Sequence, residues 1–215
     1  AMYLISSHKK GISSHQLARD IEVTQKTAWY ILQKVRTLFA QDTIELMGEV
    51  ECDETYVGGR ETNKHESQHT EGTQGRSLKT KTAVFGMVER NGNVVAKKVE
   101  NTKSATLMPI ISQFVREGSR VFTDEYIGYR SLRESEVFNH SFVSHKEKVF
   151  VNDDVYTNTI KGFWGQLKRM IIGVYHFVSA KYMQRYVDEA VFRYNICYKI
   201  QGERFQRMFS KSIGK

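Results

Sequence analysis

The sequence predicts an α/β domain, a mixed sheet flanked by helices, preceded by a small all-α helix-turn-helix. Segments with strand-like patterns are followed by a helix, a further strand, and then more strand and helix, which is the element order of a layered α/β domain. Ahead of them, two short helical patterns are separated by a tight turn. We therefore divide the chain into residues 1–42, the helix-turn-helix segment, and residues 43–215, the α/β domain.

The helix-turn-helix is predicted from caps and from apolar spacing. Ser13 or Ser14 can cap a first helix that runs to Asp20, and Thr24 can cap a second helix over residues 25–39. The second helix has apolar residues at helical spacing, namely Ala28, Ile31, Leu32 and Val35. Its exposed front is expected to carry Gln25, Lys26, Thr27, Tyr30 and Lys34. Such side chains suit phosphates and base edges in a DNA major groove, and an ordinary helical hairpin is the alternative.

The α/β domain is predicted from alternating strands and longer helical patterns. Strands are expected over residues 47–52, 83–88, 94–99, 120–123 and 138–143. Helices are expected over residues 102–117 and 157–171 and from a Ser179 cap to about residue 198, with Gly118 ending the first of them. Asn91-Gly92 predicts a type I′ hairpin turn. On the last helix, Glu189 is expected to be a surface or supporting acid rather than a metal ligand.

Residues 60–81 are polar and are expected to form an exposed loop or insertion. His65 and His69 lie four residues apart within it and could share a metal ion only if the segment were helical. The two cysteines form no C-x-x-C pair, so neither a disulfide framework nor a zinc ribbon is expected in these residues. The sequence starts at Ala1 rather than at Met, which suggests a fragment.

Charge is distributed unevenly along the chain. The formal net charge is +8, and residues 155–215 carry all of it, with 11 Lys and Arg against three Asp and Glu. A basic segment of this kind favours a polyanionic partner, most commonly nucleic acid, and a solvated basic face is the alternative. No apolar run is long enough to span a membrane and no leader pattern is visible, so we expect a cytoplasmic protein without a membrane partner.

Asp53 and Asp124 each follow a predicted strand. Carboxylates at the ends of neighbouring central strands can lie close together, where their repulsion requires a divalent cation. Hard oxygen ligands favour Mg²⁺ or Mn²⁺ over zinc, and a pair of such ions serves in-line displacement at phosphorus. Taken singly, each aspartate is more commonly a turn or cap residue; together they predict a metal site.

The helix over residues 157–171 has two distinct faces. Its apolar stripe consists of Ile160, Phe163, Trp164, Leu167, Met170 and Ile171. Its opposite face carries Asn158, Lys161, Gly165, Lys168 and Arg169. Asn158 could turn its amide oxygen toward a metal, while the three cations could hold DNA phosphates; a solvated basic face explains the lysines nearly as well. The glycines at 162 and 165 weaken a helix, so they suggest that another backbone approaches closely.

Several of these motifs together resemble bacterial insertion-sequence transposases of the DDE superfamily. Residues 50–59, which read VECDETYVGG, resemble their first catalytic strand, and residues 122–125 resemble the second. The third motif is matched by residues 156–160, 163–164 and 167–169, and residues 173–176 and 193–195 also fit. The resemblance covers nearly the whole chain. It implies a ribonuclease-H-like fold, Mg²⁺-dependent strand cleavage and strand transfer, and double-stranded DNA, both terminal inverted repeats and target, as the partner. Two DNA ends must be held together, so we expect at least a homodimer on DNA, in the bacterial nucleoid.

In the subgroup that the chain resembles, the third acid is replaced by Asn and a Lys follows on the same helix. Those roles fall on Asp53, Asp124 and Asn158 as metal ligands and on Lys168 as a further catalytic residue, with Glu125 and Asp154 as other candidates for the third ligand. Relatives usually have Glu at the position of Lys161, and generally carry a zinc-ribbon segment ahead of the helix-turn-helix. A degenerate transposase that only binds DNA, or another ribonuclease-H-like nuclease, are therefore the alternatives.

Overall fold

The computed structural model describes residues 1–41, 44–59, 65, 67, 69–70, 77–143 and 156–213. Within these ranges the strands are Glu49–Val57 (β1), Thr82–Glu89 (β2), Val94–Val99 (β3), Arg120–Asp124 (β4) and Asn139–Val143 (β5). The helices are Met2–Ser7 (α1), Ser14–Asp20 (α2), Gln25–Arg36 (α3), Ser104–Phe114 (α4), Arg130–Arg133 (α5), Asn158–Met170 (α6), Met183–Asn195 (α7) and Gln201–Ile213 (α8). In the described part of the chain, no helix combines the length and the hydrophobicity needed to cross a bilayer.

Two compact units divide the chain. The first comprises residues 1–42 and 166–215, and the second comprises residues 43–165. The boundary at residue 42 coincides with the expected one, but residues 166–215 group with the helix-turn-helix segment and not with residues 43–165. The division into a DNA-binding segment and a catalytic domain remains a prediction about function.

The second unit is built on a five-stranded sheet in the order β3-β2-β1-β4-β5. β1 and β3 pair antiparallel with β2, whereas β1 and β5 pair parallel with β4. The sheet is therefore mixed, since β1, β2 and β3 are antiparallel and β1, β4 and β5 are parallel. This is the predicted ribonuclease-H-like α/β fold. One face carries a buried core to which α4 contributes Leu107 and Ile111, and Ile160 and Trp164 of α6 pack against the other face at Gly86.

Two details of the sheet differ from the sequence-based prediction. β1 continues to Val57 because it pairs with β2 as far as Val57 and Thr82. Asp53 therefore lies in the middle of the strand and not at its end. The predicted hairpin forms, but Asn91 alone adopts a positive φ, of 60°, whereas a type I′ turn requires positive φ at both central residues. The Arg90 amide still donates to the Glu49 carbonyl, so pairing with β1 continues into the turn.

The first unit contains the predicted helix-turn-helix. Ser13 caps α2 by accepting from the Gln16 amide at 3.1 Å, and Thr24 caps α3 by accepting from the Thr27 amide at 3.2 Å. The core that these helices share also includes Met208 of α8, with Phe192 of α7 packed against it. The C-terminal helices therefore complete the hydrophobic core of the helix-turn-helix, which explains why residues 166–215 belong to this unit.

Several helix ends differ from the predicted ones. α3 ends at Arg36 and continues as a 3₁₀ turn over Thr37–Phe39, and α4 is shorter than predicted at both ends. α7 begins at Met183, after a turn, and not at a Ser179 cap. α6 passes directly into a π-helical turn over Ile171–Tyr175, which ends at His176 with φ of 61°.

Candidate active site

Asp53 lies on the face of β1 that α6 covers. The indole nitrogen of Trp164 donates to Asp53 Oδ2 at 3.1 Å, which fixes the orientation of the carboxylate. Gly86 is the cross-strand partner of Asp53, and a Cβ at this position would collide with the Trp164 ring. Glycine is therefore required opposite Asp53 so that the indole can reach the carboxylate.

Asp53 and Asp124 interact electrostatically. In the parallel pairing, Glu49 lies opposite Arg120 and Glu51 opposite Phe122; continued by two residues, this register brings Asp53 level with Asp124. Burial, followed by the charges of Glu54 and Asp124, raises the pKa of Asp53 to about 7, against the opposing effects of Lys161 and the Trp164 hydrogen bond. The site therefore concentrates negative charge that a cation would relieve.

Glu51 anchors the start of α6 to the sheet. Its side chain is fully buried and accepts hydrogen bonds from the Thr159 amide at 2.8 Å, the Thr159 hydroxyl at 2.9 Å and the Ile160 amide at 3.0 Å. The first amides of a helix have no partner within the helix, so a carboxylate on the neighbouring strand caps α6 in place of its own N-terminal residues. The first turn of α6 is thereby fixed relative to the strand that carries Asp53.

Arg90 balances the charge of Glu51. Its guanidinium donates to Glu51 at 3.1 Å, to Glu49 at 2.9 Å and to the Tyr156 carbonyl at 3.0 Å. The guanidinium carbon Cζ also lies 3.7 Å from the centre of the Tyr156 ring and 4.1 Å from the centre of the Phe122 ring. Sequence analysis missed both Glu51 and Arg90, although a charged residue two positions before Asp53, on the same face of a strand, was an available signal.

Predicted site residues on α6 occupy different positions relative to the aspartates. Asn158 is the first residue of α6 and is exposed, and within the described residues no hydrogen bond joins it to Asp53 or Asp124. Lys161, one turn later, is the α6 residue whose charge acts on Asp53. Lys168 is exposed and belongs to the first compact unit. Glu125 is half-buried beside Asp124, whereas Asp154 lies outside the described residues.

A cation site in this structure would rest on oxygen ligands. Among the described residues, no group of three or more His, Cys, Asp and Glu side chains could hold a metal ion. The two carboxylates, and the Asn158 amide that is predicted to join them, are the oxygen types that Mg²⁺ and Mn²⁺ prefer. His65 is exposed and lies outside any helix, so the condition for a shared His65 and His69 site is not met.

The predicted DNA-binding side chains of α3 all lie on its surface. Gln25, Lys26, Thr27, Tyr30 and Lys34 are exposed. Gln25 donates to the Ser14 hydroxyl of α2 at 2.8 Å, and Lys34 lies over the Tyr30 ring at 5.5 Å. On α6, Lys161 and Arg169 are likewise exposed, and the predicted apolar stripe is buried. Among the described residues, no atom lies within 4 Å of a Cβ placed at Gly162, so they give no packing reason for this glycine.

The positive charge is concentrated in the first unit. It contains 16 Lys and Arg against six Asp and Glu, a formal charge of +10, whereas the second unit contains 16 against 18, a formal charge of −2. The carboxylate site and the basic surface therefore belong to different units of the chain.

Comparison with known proteins identifies a family that the chain matches. Residues 45–195, more than half of the chain, match the family described as ISXO2-like transposase domain. A protein in transposable element ISH50 of Halobacterium salinarum is 28% identical over 168 residues, which cover 74% of this chain and 56% of that protein. A transposase-like protein of Haemophilus influenzae is 34% identical over 97 residues, which cover 45% of this chain and 76% of that protein. The chain thus spans little more than half the length of the Halobacterium relative.

Among solved structures, the likeness is distant. A simian T-cell lymphotropic virus intasome matches 88% of this chain and 67% of its own, with 12% identity and a TM-score of 0.40. The Mos1 strand transfer complex matches 98% of this chain and 73% of its own, with 12% identity and a TM-score of 0.38.

Proposed function

The chain belongs to the ISXO2-like transposase family, and on this premise we propose that it is a DNA transposase that cleaves and joins the ends of an insertion sequence. The observation that supports the proposal is that Asp53 and Asp124 lie on adjacent parallel strands, β1 and β4, and that burial, followed by the charges of Glu54 and Asp124, raises the pKa of Asp53 to about 7. Its substrates would be double-stranded terminal inverted repeats and target DNA in the nucleoid.

We propose that Asp53 and Asp124 hold Mg²⁺ or Mn²⁺, with the amide oxygen of Asn158 as the third protein ligand. Two such ions would activate the attacking oxygen and stabilise the leaving oxygen at the scissile phosphate. Trp164 holds one oxygen of Asp53, and the other oxygen would bind the ion. Glu51 holds the first turn of α6, so Asn158 is presented at a fixed position along β1. Lys168, further along α6, would bind a DNA phosphate and orient it.

DNA binding is assigned to the first unit. Its formal charge of +10 favours a polyanion, because each phosphate neutralised by Lys or Arg releases counterions. The exposed front of α3, with Gln25, Lys26, Thr27, Tyr30 and Lys34, would enter the major groove. On α6, Arg169 of the first unit and Lys161 of the second unit would add phosphate contacts. Because two element ends are held together in such a reaction, at least two copies of the chain would act on the DNA.

The proposal is tested by cleavage of a supercoiled plasmid that carries the element ends, with Mg²⁺ or Mn²⁺. Asp53→Asn and Asp124→Asn are expected to abolish cleavage while leaving plasmid binding intact, because neither residue belongs to the basic unit. Glu117→Gln, which neutralises an exposed acid of the same unit, is the control and should cleave normally. Cleavage retained by either aspartate variant would overturn the site assignment. A joined 3′ end, which no simple nuclease produces, distinguishes a transposase from another ribonuclease-H-like nuclease.

A second candidate function, DNA binding without catalysis, is favoured by Lys161. This residue places a positive charge close to Asp53 on the helix that would supply the third ligand, where a cation would be repelled. Lys161→Glu replaces the repulsion with a fourth oxygen donor, and Lys161→Gln removes the charge alone. If cleavage is absent in the wild-type chain and appears in Lys161→Glu but not in Lys161→Gln, the chain is an inactive copy. Robust cleavage by the wild-type chain would exclude this candidate.

A further inference from the structure

A basic cavity in the first unit includes Arg169, which is proposed above to contact a DNA phosphate, together with Lys9 and Lys10, which have no role so far. It has a volume of about 330 Å³ and is lined by Lys9, Lys10, Gln166, Arg169, Met170, Ala190 and Arg193. Four of these seven residues are cations and none is an acid. A second cavity of about 300 Å³ shares Lys9, Gln166 and Arg193 with it, so the two adjoin.

Arg193 lies in the wall of this cavity and is held in place by hydrogen bonds. Its guanidinium donates to Glu189 Oε1 at 2.7 and 3.1 Å and to the Ile5 carbonyl at 3.0 Å, and it also bonds the His8 carbonyl. Its charge is therefore balanced by a buried acid, and its position is set by the segment that immediately precedes Lys9.

The turn that carries Lys9 and Lys10 is held at both ends. The Gly11 amide donates to the His8 carbonyl at 3.2 Å, which closes the turn around the two lysines. Gly11 has φ of 93°, and a Cβ there would collide with the Tyr175 hydroxyl, which itself donates to Glu189. Both lysines are thus presented by backbone that is packed against the buried acid network, and not by a loose surface loop.

The remaining cations of the cavity carry unbalanced charge. Lys9, Lys10 and Arg169 are exposed, and within the described residues none of them forms an ion pair with an acid. Like charges that share a concave surface repel one another, so a bound anion would lower the free energy of the site. Gln166 adds an amide donor, while Met170 and Ala190 offer an apolar side that suits a sugar.

We propose that this cavity binds a phosphate group of the DNA backbone, at a site separate from the major-groove contacts of α3. The inference rests on the proposed DNA-binding function. Lys9 and Lys10 lie ahead of α2, and Arg169 lies near the end of α6, so the cavity would hold the DNA backbone without reading base sequence.

The test compares two doubly neutralised chains. Lys10→Gln with Arg169→Gln removes charge from the cavity, and Lys181→Gln with Arg207→Gln removes the same charge from exposed positions of the same unit outside it. Binding to a 30-base-pair duplex is measured over a range of salt concentrations. Losing one phosphate contact is expected to reduce the slope of log K against log salt by about 0.9 in the cavity variant, with little change in the control.

Four outcomes would overturn the inference, each in a distinguishable way. Equal slopes for the wild type and the cavity variant would exclude a phosphate contact there while leaving DNA binding intact. Equal losses in both variants would show a general charge effect. Inorganic phosphate is titrated in parallel, and binding of phosphate that is lost in the cavity variant without any change in the DNA slope would mark a site for free anions. A wild-type chain that binds no DNA at low salt would contradict the proposed function as well.

Discussion

Glu51→Ala is expected to detach the start of α6 from β1. The substitution removes a fully buried carboxylate that accepts three hydrogen bonds from Thr159 and Ile160 and balances Arg90. Removing one partner of a buried ion pair costs about 3–5 kcal/mol, and because Arg90 keeps Glu49 and a carbonyl we expect the lower end of this range. Loss of a helix cap adds about 1 kcal/mol. The expected loss of about 4 kcal/mol is a large fraction of the roughly 5–15 kcal/mol that stabilises a typical domain.

The assay is urea denaturation combined with amide hydrogen exchange. Glu49→Ala is the matched control, because Glu49 contacts the same arginine at 2.9 Å but its side chain is 38% exposed, and exposed pairs contribute about 1 kcal/mol or less. In Glu51→Ala the amides of Thr159 and Ile160 should exchange much faster than in the control. Equal losses of stability in the two variants, or unchanged exchange at these amides, would refute the capping role of Glu51.

Three further perturbations follow from buried charge. Burial and Arg133 lower the pKa of His140 from 6.5 to about 4, so the unfolded chain binds this proton more tightly than the folded chain does. The free energy of unfolding should therefore fall as the pH decreases from 6.5 to about 4, and a urea denaturation series should show a flatter pH dependence for His140→Gln. The pKa of Asp53 is raised from 3.8 to about 7, so without divalent ions the stability of the folded chain should fall as the pH rises from 3.8 to about 7. Thermal melting over this pH range should show that Asp53→Asn removes the fall. For His140 and for Asp53 alike, superimposable curves of the wild type and the variant would contradict the prediction. Glu189→Gln leaves the buried Arg36 without its counter-charge and should lower the free energy of unfolding by about 3 kcal/mol or more. The control Glu203→Gln breaks an ion pair at the surface and should lower it by less than about 1 kcal/mol. Equal losses of stability in thermal denaturation would contradict the role of the buried ion pairs.

Patterns local in sequence predicted much of the fold. The caps at Ser13 and Thr24, the apolar stripe of α6 and the strand that ends at Asp124 depend on neighbours a few residues away, and all three are present in the structure. The β2-β3 hairpin also formed, although the turn type was wrong.

Features that depend on distant partners could not be predicted in the same way. Glu51 and Thr159 are 108 residues apart, and Arg36 and Glu189 are 153 residues apart, so local sequence does not identify either residue's partner. Glu189 was expected to be a surface or supporting acid; it is buried between Arg36 and Arg193. Alternation along a strand identifies two faces but not which elements cover them, and for that reason Glu51 went unnoticed beside Asp53.

The strands that carry Asp53 and Asp124 were both predicted from the sequence, although the end of β1 was placed too early. The metal-binding role of the two aspartates stays a prediction. The roles of Asn158 and Lys168 stay predictions, because the resemblance that suggested them specifies residue types along a helix and not distances. Trp164 was assigned to the apolar stripe, and its hydrogen bond to Asp53 depends on Gly86 of another strand.

Metal-dependent joining of element ends to new DNA through Asp53 and Asp124 is measured with pre-cleaved, labelled end duplexes and an unlabelled target plasmid. Starting from a cut 3′ end isolates strand transfer from the preceding cleavage. We expect labelled plasmid with the wild-type chain in Mg²⁺ or Mn²⁺, and none with EDTA, Asp53→Asn or Asp124→Asn, while Glu117→Gln joins normally. Joined product that persists in either aspartate variant, or that forms without a divalent ion, would contradict the proposed roles of the two aspartates and the metal.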